Sequence, residues 1–339
     1  MTSTAEALYK TVRGLGLTRA QARRLLPSWW STELENRPDG IAELAMHLGR
    51  RLSLDVTALR EGEVKPRGAV KRIAFKHRAG LETASMEAAS FIASSLTQTI
   101  IAAMSSKYKG LPPEPETIQA IGRELGSGTI GFSALVDLCW GRGIPVIPLP
   151  NLPVGVRKMD GAALQNEGRP AIVIAKRKTS RAWLSFILAH EMAHIALGHL
   201  VPGSSIVDVS LQDMATYATE SDQDQQEADA DHFALQILGG NFANSIVAKW
   251  PQRWSPVEIA VAAREAGRTE GIEPGHLVLR FAFQHRRWPE AVTALRFLTE
   301  DMDAEGELLR KLKAHVDIDL VADDLQDMVA QITGYEIPS

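Results

Sequence analysis

Cys139 is the sole cysteine among 339 residues. That scarcity excludes an intrachain disulfide and a thiolate-rich metal site, and it suits a reducing compartment. No apolar run is long enough to span a bilayer. The stretch from Phe91 to Met104 is interrupted by Ser94, Ser95, Thr97, Gln98 and Thr99, and reads as a buried helix. The opening MTSTAEALYKTVRG carries no apolar signal core, so a cytoplasmic protein without membrane attachment is expected. Glycine-rich phosphate loops, a serine-hydrolase elbow and internal repeats are all missing, which removes P-loop, serine-nucleophile and solenoid readings. There is also little net charge, −4, but it is unevenly spread. Residues 1–80 hold fifteen Lys/Arg against eight Asp/Glu, and residues 301–339 hold three against ten. A local basic surface of this kind can attract nucleic acid.

What the chain does have is His190-Glu191-Met192-Ala193-His194, within FILAHEMAHIALGH. On a helix, positions i and i+4 stack on one face. Two neutral imidazoles so placed can share one zinc ion, with the glutamate as general base toward a water at the metal. The context is helical. Thr179 and Ser180 can cap a helix start, Arg181 to Leu200 contains no proline, and Val201-Pro202-Gly203 ends it. Trp183, Phe186, Ile187, Leu188, Met192, Ile195 and Leu197 make this helix apolar on most of its surface, so it is expected to be buried. A buried histidine pair and glutamate need partners. The plain alternative is two core histidines bonded to carbonyls or to Glu191.

A hydrolytic zinc site wants three protein ligands and an open position. The third histidine of an HExxHxxGxxH frame is absent, because Gly198 and His199 each fall one residue off it. His199 lies about 140° around the helix from His194 and is expected to pack or cap the helix end. The better source is QQEADADHFALQIL, on a second helix expected from Asp222 to Leu238 and stopped by Gly239-Gly240. Glu227 can complete a His-His-Glu set. Asp231, one turn later, can accept the free ring N–H of a ligand histidine. Asp229 points about 200° away from Glu227 and is expected in solvent, while Asp224 is nearly in line with Glu227 and stays an alternative. Tyr217, His232 and His199 are all candidate donors to a developing oxyanion.

His190-Glu191-x-x-His194 followed by Glu227-x-x-Ala230-Asp231-x-Phe233-Ala234 resembles the ImmA/IrrE family of zinc metallopeptidases, which are glutamate-ligand zincins. The resemblance covers roughly residues 117–245. It implies that His190, His194 and Glu227 bind one zinc ion per chain, that Glu191 is the general base, and that Asp231 orients a ligand. The family often has asparagine where this chain has Asp231, and a Leu-Met-Pro segment where it has Ile237-Leu238-Gly239-Gly240. Family members are bacterial and phage proteins, several of which cleave or switch off a transcriptional repressor. The fold implied is α+β: a zincin-like metallopeptidase core with a small antiparallel sheet, flanked by helical N- and C-terminal domains.

The expected organisation has four parts. Residues 1–64 form a helical domain. Leu17–Leu26 looks like a capped helix start and Gly40–Leu52 like another; that tail, followed by Leu54–Leu59, resembles the last helices of Cro-like helix-turn-helix regulators, although Trp29-Trp30 sits where a reading helix should be short and polar. DNA binding and protein docking both remain open for residues 1–80. Residues 65–112 form a basic linker and helix, and KPRGAVKRIAFKHR (65–78) either touches phosphate or is a solvated linker anchored by Ile73, Ala74 and Phe75. Residues 113–248 form the metallopeptidase domain. It has helical register over Thr117–Trp140, an edge strand at Ile144–Leu149, short strands at Val154–Val156 and Gly161–Leu164, and a stronger strand at Pro170–Ala175. That sheet either offers an edge to an extended peptide or serves as scaffold. Residues 249–339 form a helical C-terminal domain with an acidic tail, which can dock on the positive half. Two functions follow: a zinc endopeptidase acting on a repressor or antitoxin-like protein, such as a helix-turn-helix repressor, or a DNA-binding regulator whose zincin domain senses or docks with little turnover.

Overall fold

The computed structural model describes residues 4–67, 72–76, 83–156, 160–175, 180–200, 204–208, 225–298 and 303–337. Four helices come first: α1 (Ala5–Arg13), α2 (Arg19–Arg24), α3 (Pro38–Arg51) and α4 (Val56–Glu61). Strand β1 (Arg72–Lys76) and helices α5 (Thr83–Ala102), α6 (Pro115–Leu125) and α7 (Phe132–Gly141) follow. Then come β2 (Val146–Pro148), β3 (Gly161–Asn166), β4 (Arg169–Ile174), α8 (Arg181–Ala196), β5 (Ser204–Asp208) and α9 (Gln225–Ile237). The rest is helical: α10 (Gly240–Val247), α11 (Pro256–Glu270), α12 (Pro274–His285), α13 (Trp288–Leu298), α14 (Ala304–His315) and α15 (Asp323–Thr333). Local chemistry sets many of these starts. Thr18 with Gln21 and Ser255 with Glu258 form capping boxes, and Pro38, Pro115, Pro256 and Pro274 occupy first turns. Among the described residues, no helix is long and apolar enough to cross a membrane.

The strands form one sheet in the order β1-β5-β3-β4-β2. β3 and β4 are a hairpin whose two turn residues, Glu167 and Gly168, have φ of 49° and 81°. Paired left-handed residues match the twist of a tight two-residue hairpin. β3 is also antiparallel to β5, whereas β1–β5 and β2–β4 run parallel. The antiparallel sheet expected from sequence is therefore the centre of a mixed one. The hairpin reverses the chain between β3 and β4, which turns β4 along β2. Val154-Gly155-Val156, expected as a strand, is a turn: Gly155 has φ 87°, and Gln21 of α2 donates to the Val154 carbonyl at 2.8 Å. The basic stretch 65–78 contributes β1, and Pro66 bridges to Leu54.

Side chains alternate across a strand, which tells the faces apart. A Cβ on Gly161 would lie 2.7 Å from Ile187 Cγ2 of α8, and Ala163 packs with Ile195 and Leu200. On the other parity, Asn166 donates to Thr97 Oγ1 of α5 at 2.8 Å. Helices α5 and α8 thus sandwich the sheet. All of Ala182–His194 is buried, so α8 is apolar all round because it is covered all round. It starts on Ser180, whose hydroxyl accepts from the Trp183 N–H. It stops at Ala196, a turn earlier than expected; the expected stop at Val201–Gly203 lies outside the described residues, as does Thr179.

The basic and acidic ends meet. Arg51, fully buried at the end of α3, donates to the carbonyls of Leu25 and Asp324, to Gln331 Oε1 and to Asp327 Oδ2. Arg50 pairs with Asp324 at 2.9 Å. Arg19 and Arg23 of α2 both reach Glu35, at 2.6 and 2.8 Å. Trp29 and Trp30 pack against His47 of α3.

Candidate metal centre

Helix geometry places His190 and His194 one above the other on α8, and α9 lies against α8 so that Glu227 faces both. The two Nε2 atoms are 3.0 Å apart. Glu227 Oε2 is 3.2 Å from His190 Nε2, and Oε1 is 3.5 Å from His194 Nε2. Ligands about 2.0–2.1 Å from a tetrahedral zinc are separated from one another by roughly 3.3 Å. These three separations bracket that edge length. Among the described residues, His190, His194 and Glu227 are the one His/Cys/Asp/Glu group whose donor atoms converge in this way.

The protonation states fit as well. Burial, reinforced by the neighbouring imidazoles and only partly opposed by Glu227, brings His194 down to about 4, so it is neutral near pH 7. Burial alone would raise Glu227, but the two imidazoles beside it outweigh that and hold it below the usual carboxylate range. Glu227 is thus a carboxylate and His194 a neutral imidazole, the deprotonated forms that a metal requires. His190 Nδ1 lies 3.0 Å from Asp231 Oδ1. That contact suits the His190 tautomer with its proton on Nδ1, which leaves the Nε2 lone pair facing the donor set.

Glu191 is wholly buried on the same helix. Strand β3 crosses it closely: a Cβ on Gly161 would lie 2.9 Å from Glu191 Oε1. Any larger residue at the start of β3 would push into that carboxylate. A glycine at a strand start is the sequence signal for close backbone approach, and sequence reasoning missed it. β3 and β4, the strands against α8, are paired on both sides, so for them the scaffold reading holds. Among the described residues, the outer strands are β1 and β2, and α14 packs against β2.

The acid-bearing helix is held from its far end. A helix leaves its last carbonyls without partners, and here side chains from other elements satisfy them. Arg280 donates to the Leu235 carbonyl, Gln119 to those of Gln236 and Ile237 at 3.1 and 3.3 Å, and His276 bonds that of Leu238. His276 and Arg280 sit one turn apart on α12. Burial lowers His276 to about 3, leaving it neutral, and lowers Arg280 only to about 10, leaving it charged near pH 7. α12 also braces α8, since Gly275 approaches so closely that an added Cβ would overlap that of Ala182. None of Gln119, His276 or Arg280 was legible as part of the site.

Of the remaining candidates, Asp229 is exposed and accepts from Gln225 Nε2 at 2.7 Å. His232 is exposed on α9. His199 packs on the end of α8, its Nδ1 2.9 Å from His194 Nδ1. Asp224 and Tyr217 lie outside the described residues. In comparisons with known proteins, no family model matches the chain and no curated protein matches it. The site therefore rests on its own geometry: a buried His-Glu-x-x-His helix joined by a distal Glu/Asp pair, the donor set of a zinc-protease-like centre in a metal-dependent hydrolase.

Proposed function

We propose that this chain is a zinc-dependent endopeptidase, holding one zinc ion, that cuts a regulatory protein of the repressor or antitoxin kind in the cytoplasm. The observation that carries the reading is the convergence of His190, His194 and Glu227 with Glu191 buried alongside. Bound zinc supplies the Lewis acidity for amide hydrolysis. Glu191 then takes the proton of the attacking water and returns it to the leaving amine. Asp231 keeps His190 in its ligating tautomer, and Glu227 supplies the negative charge of the set. The preference for a repressor rests on the resemblance of residues 117–245 to the ImmA/IrrE pattern. A DNA-binding regulator with little turnover is the weaker reading. Arg19, Arg23, Arg50 and Arg51 are already paired with Glu35, Asp324 and Asp327, so those charges are withdrawn from any phosphate backbone.

The test is capture by the full-length Glu191→Gln variant, which keeps the donor set but lacks the base. A helix-turn-helix repressor should accumulate on it, and wild-type protein should cleave that repressor. Digestion of casein and unrelated unfolded chains as fast as any repressor would replace the regulatory role with general proteolysis.

A further inference from the structure

The two ligand histidines are oriented by different chemistry. His190 has a carboxylate behind it, Asp231. Behind His194 stands a second imidazole, His199, at 2.9 Å between the Nδ1 atoms. The backbone brings it there. α8 ends with Leu197 as its cap and Gly198 at φ 70°. The N–H of Gly198 bonds the Ile195 carbonyl at 3.3 Å, and the N–H of His199 bonds that of His194 at 2.9 Å. This is the pairing of a Schellman ending, in which the second residue past the cap folds back over the last turn. That position is usually filled by an apolar contact. Here it is filled by His199, and what it folds onto is His194.

We propose that His199 is the positioning residue of His194, holding by its hydrogen bond the ring whose Nε2 faces the donor set; the inference rests on the metal-site reading above. A hydrogen bond between two ring nitrogens needs one to carry the proton and the other a lone pair. With the proton on His194 Nδ1, its Nε2 presents a lone pair beside Glu227 and His190, and His199 Nδ1 accepts. With the proton on His199 Nδ1 instead, His194 Nε2 carries hydrogen toward His190 Nε2, 3.0 Å away, and cannot ligate. When it accepts, His199 does for His194 what Asp231 does for His190, without adding a negative charge to the cluster.

The experiment compares full-length His199→Phe, which keeps a ring but offers no acceptor, with His199→Asp, which keeps an acceptor. Zinc affinity is read by competition with a chromophoric chelator, and the His194 Nδ1–H by nitrogen-15 NMR of zinc-loaded, histidine-labelled protein. His199→Phe should weaken zinc by about 10–100-fold and move the His194 Nδ1–H resonance from its hydrogen-bonded position. His199→Asp should hold both near wild type. Equal loss in both variants would make His199 a packing residue, and no loss in either would leave it without a role; both results overturn the proposal. Wild-type protein that binds no zinc would sink the metal reading itself. Wild-type protein that binds zinc, with His199→Phe binding it equally well, would overturn the inference alone.

Discussion

Among the described residues, the buried polar clusters at Arg51 and at His190 are built on opposite plans. At Arg51 the chain supplies both signs: a guanidinium, the Asp327 carboxylate and the neutral acceptors of Leu25, Asp324 and Gln331. At His190 it supplies donors of electron pairs only, two imidazoles and a carboxylate converging on one point. The first cluster balances charge within the protein and joins residues 276 apart in sequence. The second has the donor set to hold a divalent cation. The difference teaches that burial of polar groups is not by itself a functional sign; the charge balance of the cluster is.

That contrast can be broken most decisively at the metal. Wild-type protein should carry about one zinc per chain, as the three-ligand geometry requires. His194→Ala should abolish binding and Glu227→Ala should weaken it sharply. Elemental analysis showing wild-type zinc in both variants would dismiss the donor set. Next in size is Glu191→Gln. It should keep metal and fold but lose hydrolysis of a verified substrate by about two to four orders of magnitude, and unchanged turnover would remove Glu191 from the chemistry.

The structural cluster should behave in the reverse sense. Arg51→Met strands the carbonyls and Asp327 that the guanidinium satisfies, and should cost about 3 kcal/mol in denaturant unfolding while leaving zinc content unchanged. A variant as stable as wild type would show that the two ends do not depend on this contact. A smaller effect is expected of Asp231→Ala, a roughly 10–100-fold loss of zinc affinity, measured by the same chelator competition. If Asp231→Ala bound zinc like wild type, His190 would need no orienting partner.

The smallest effect concerns acid. Burial alone would raise Glu35, but hydrogen bonds from Arg23, Arg19 and Tyr9 outweigh it and hold the carboxyl down at about 2. Its stabilisation is complete above the ordinary carboxylate range and is lost as pH falls through about 2. The two arginines are part-exposed, so solvent screening trims the effect to about 1–2 kcal/mol. Glu35→Gln should flatten stability against pH across that window and nowhere else. An unchanged slope would assign acid sensitivity to other groups.

Much of the active helix is legible in the sequence. Ser180 as cap, burial over Ala182–His194 and the shared face of His190 and His194 all follow from residues within one turn of each other. β2 and β4 are legible from their β-branched runs, and β3 as a short strand. The misread turn at Val154–Val156 and the mixed sheet have a common cause: apolar alternation identifies a strand but not its neighbours, and pairing is decided by which edges the rest of the chain leaves open. The early stop of α8 is hard to read because a lone Gly198 weighs less in a pattern than the Pro202 beyond it.

The sequence by itself determined the two imidazoles four apart, the glutamate beside them and the helix that carries them, because those relations are set by covalent spacing and helical pitch. Only the tertiary structure decided that Glu227 completes the set, that Asp231 stands behind His190 and His199 behind His194, and that Gly161 must be small beneath Glu191. It alone decided that α6 and α12 hold α9 by its last carbonyls, and that Asp324 and Asp327 are the acids that meet Arg50 and Arg51. Each of these is a through-space contact made by packing elements distant in sequence or by folding the chain back past a helix end, and no local pattern of residues encodes the direction in which a neighbour will approach.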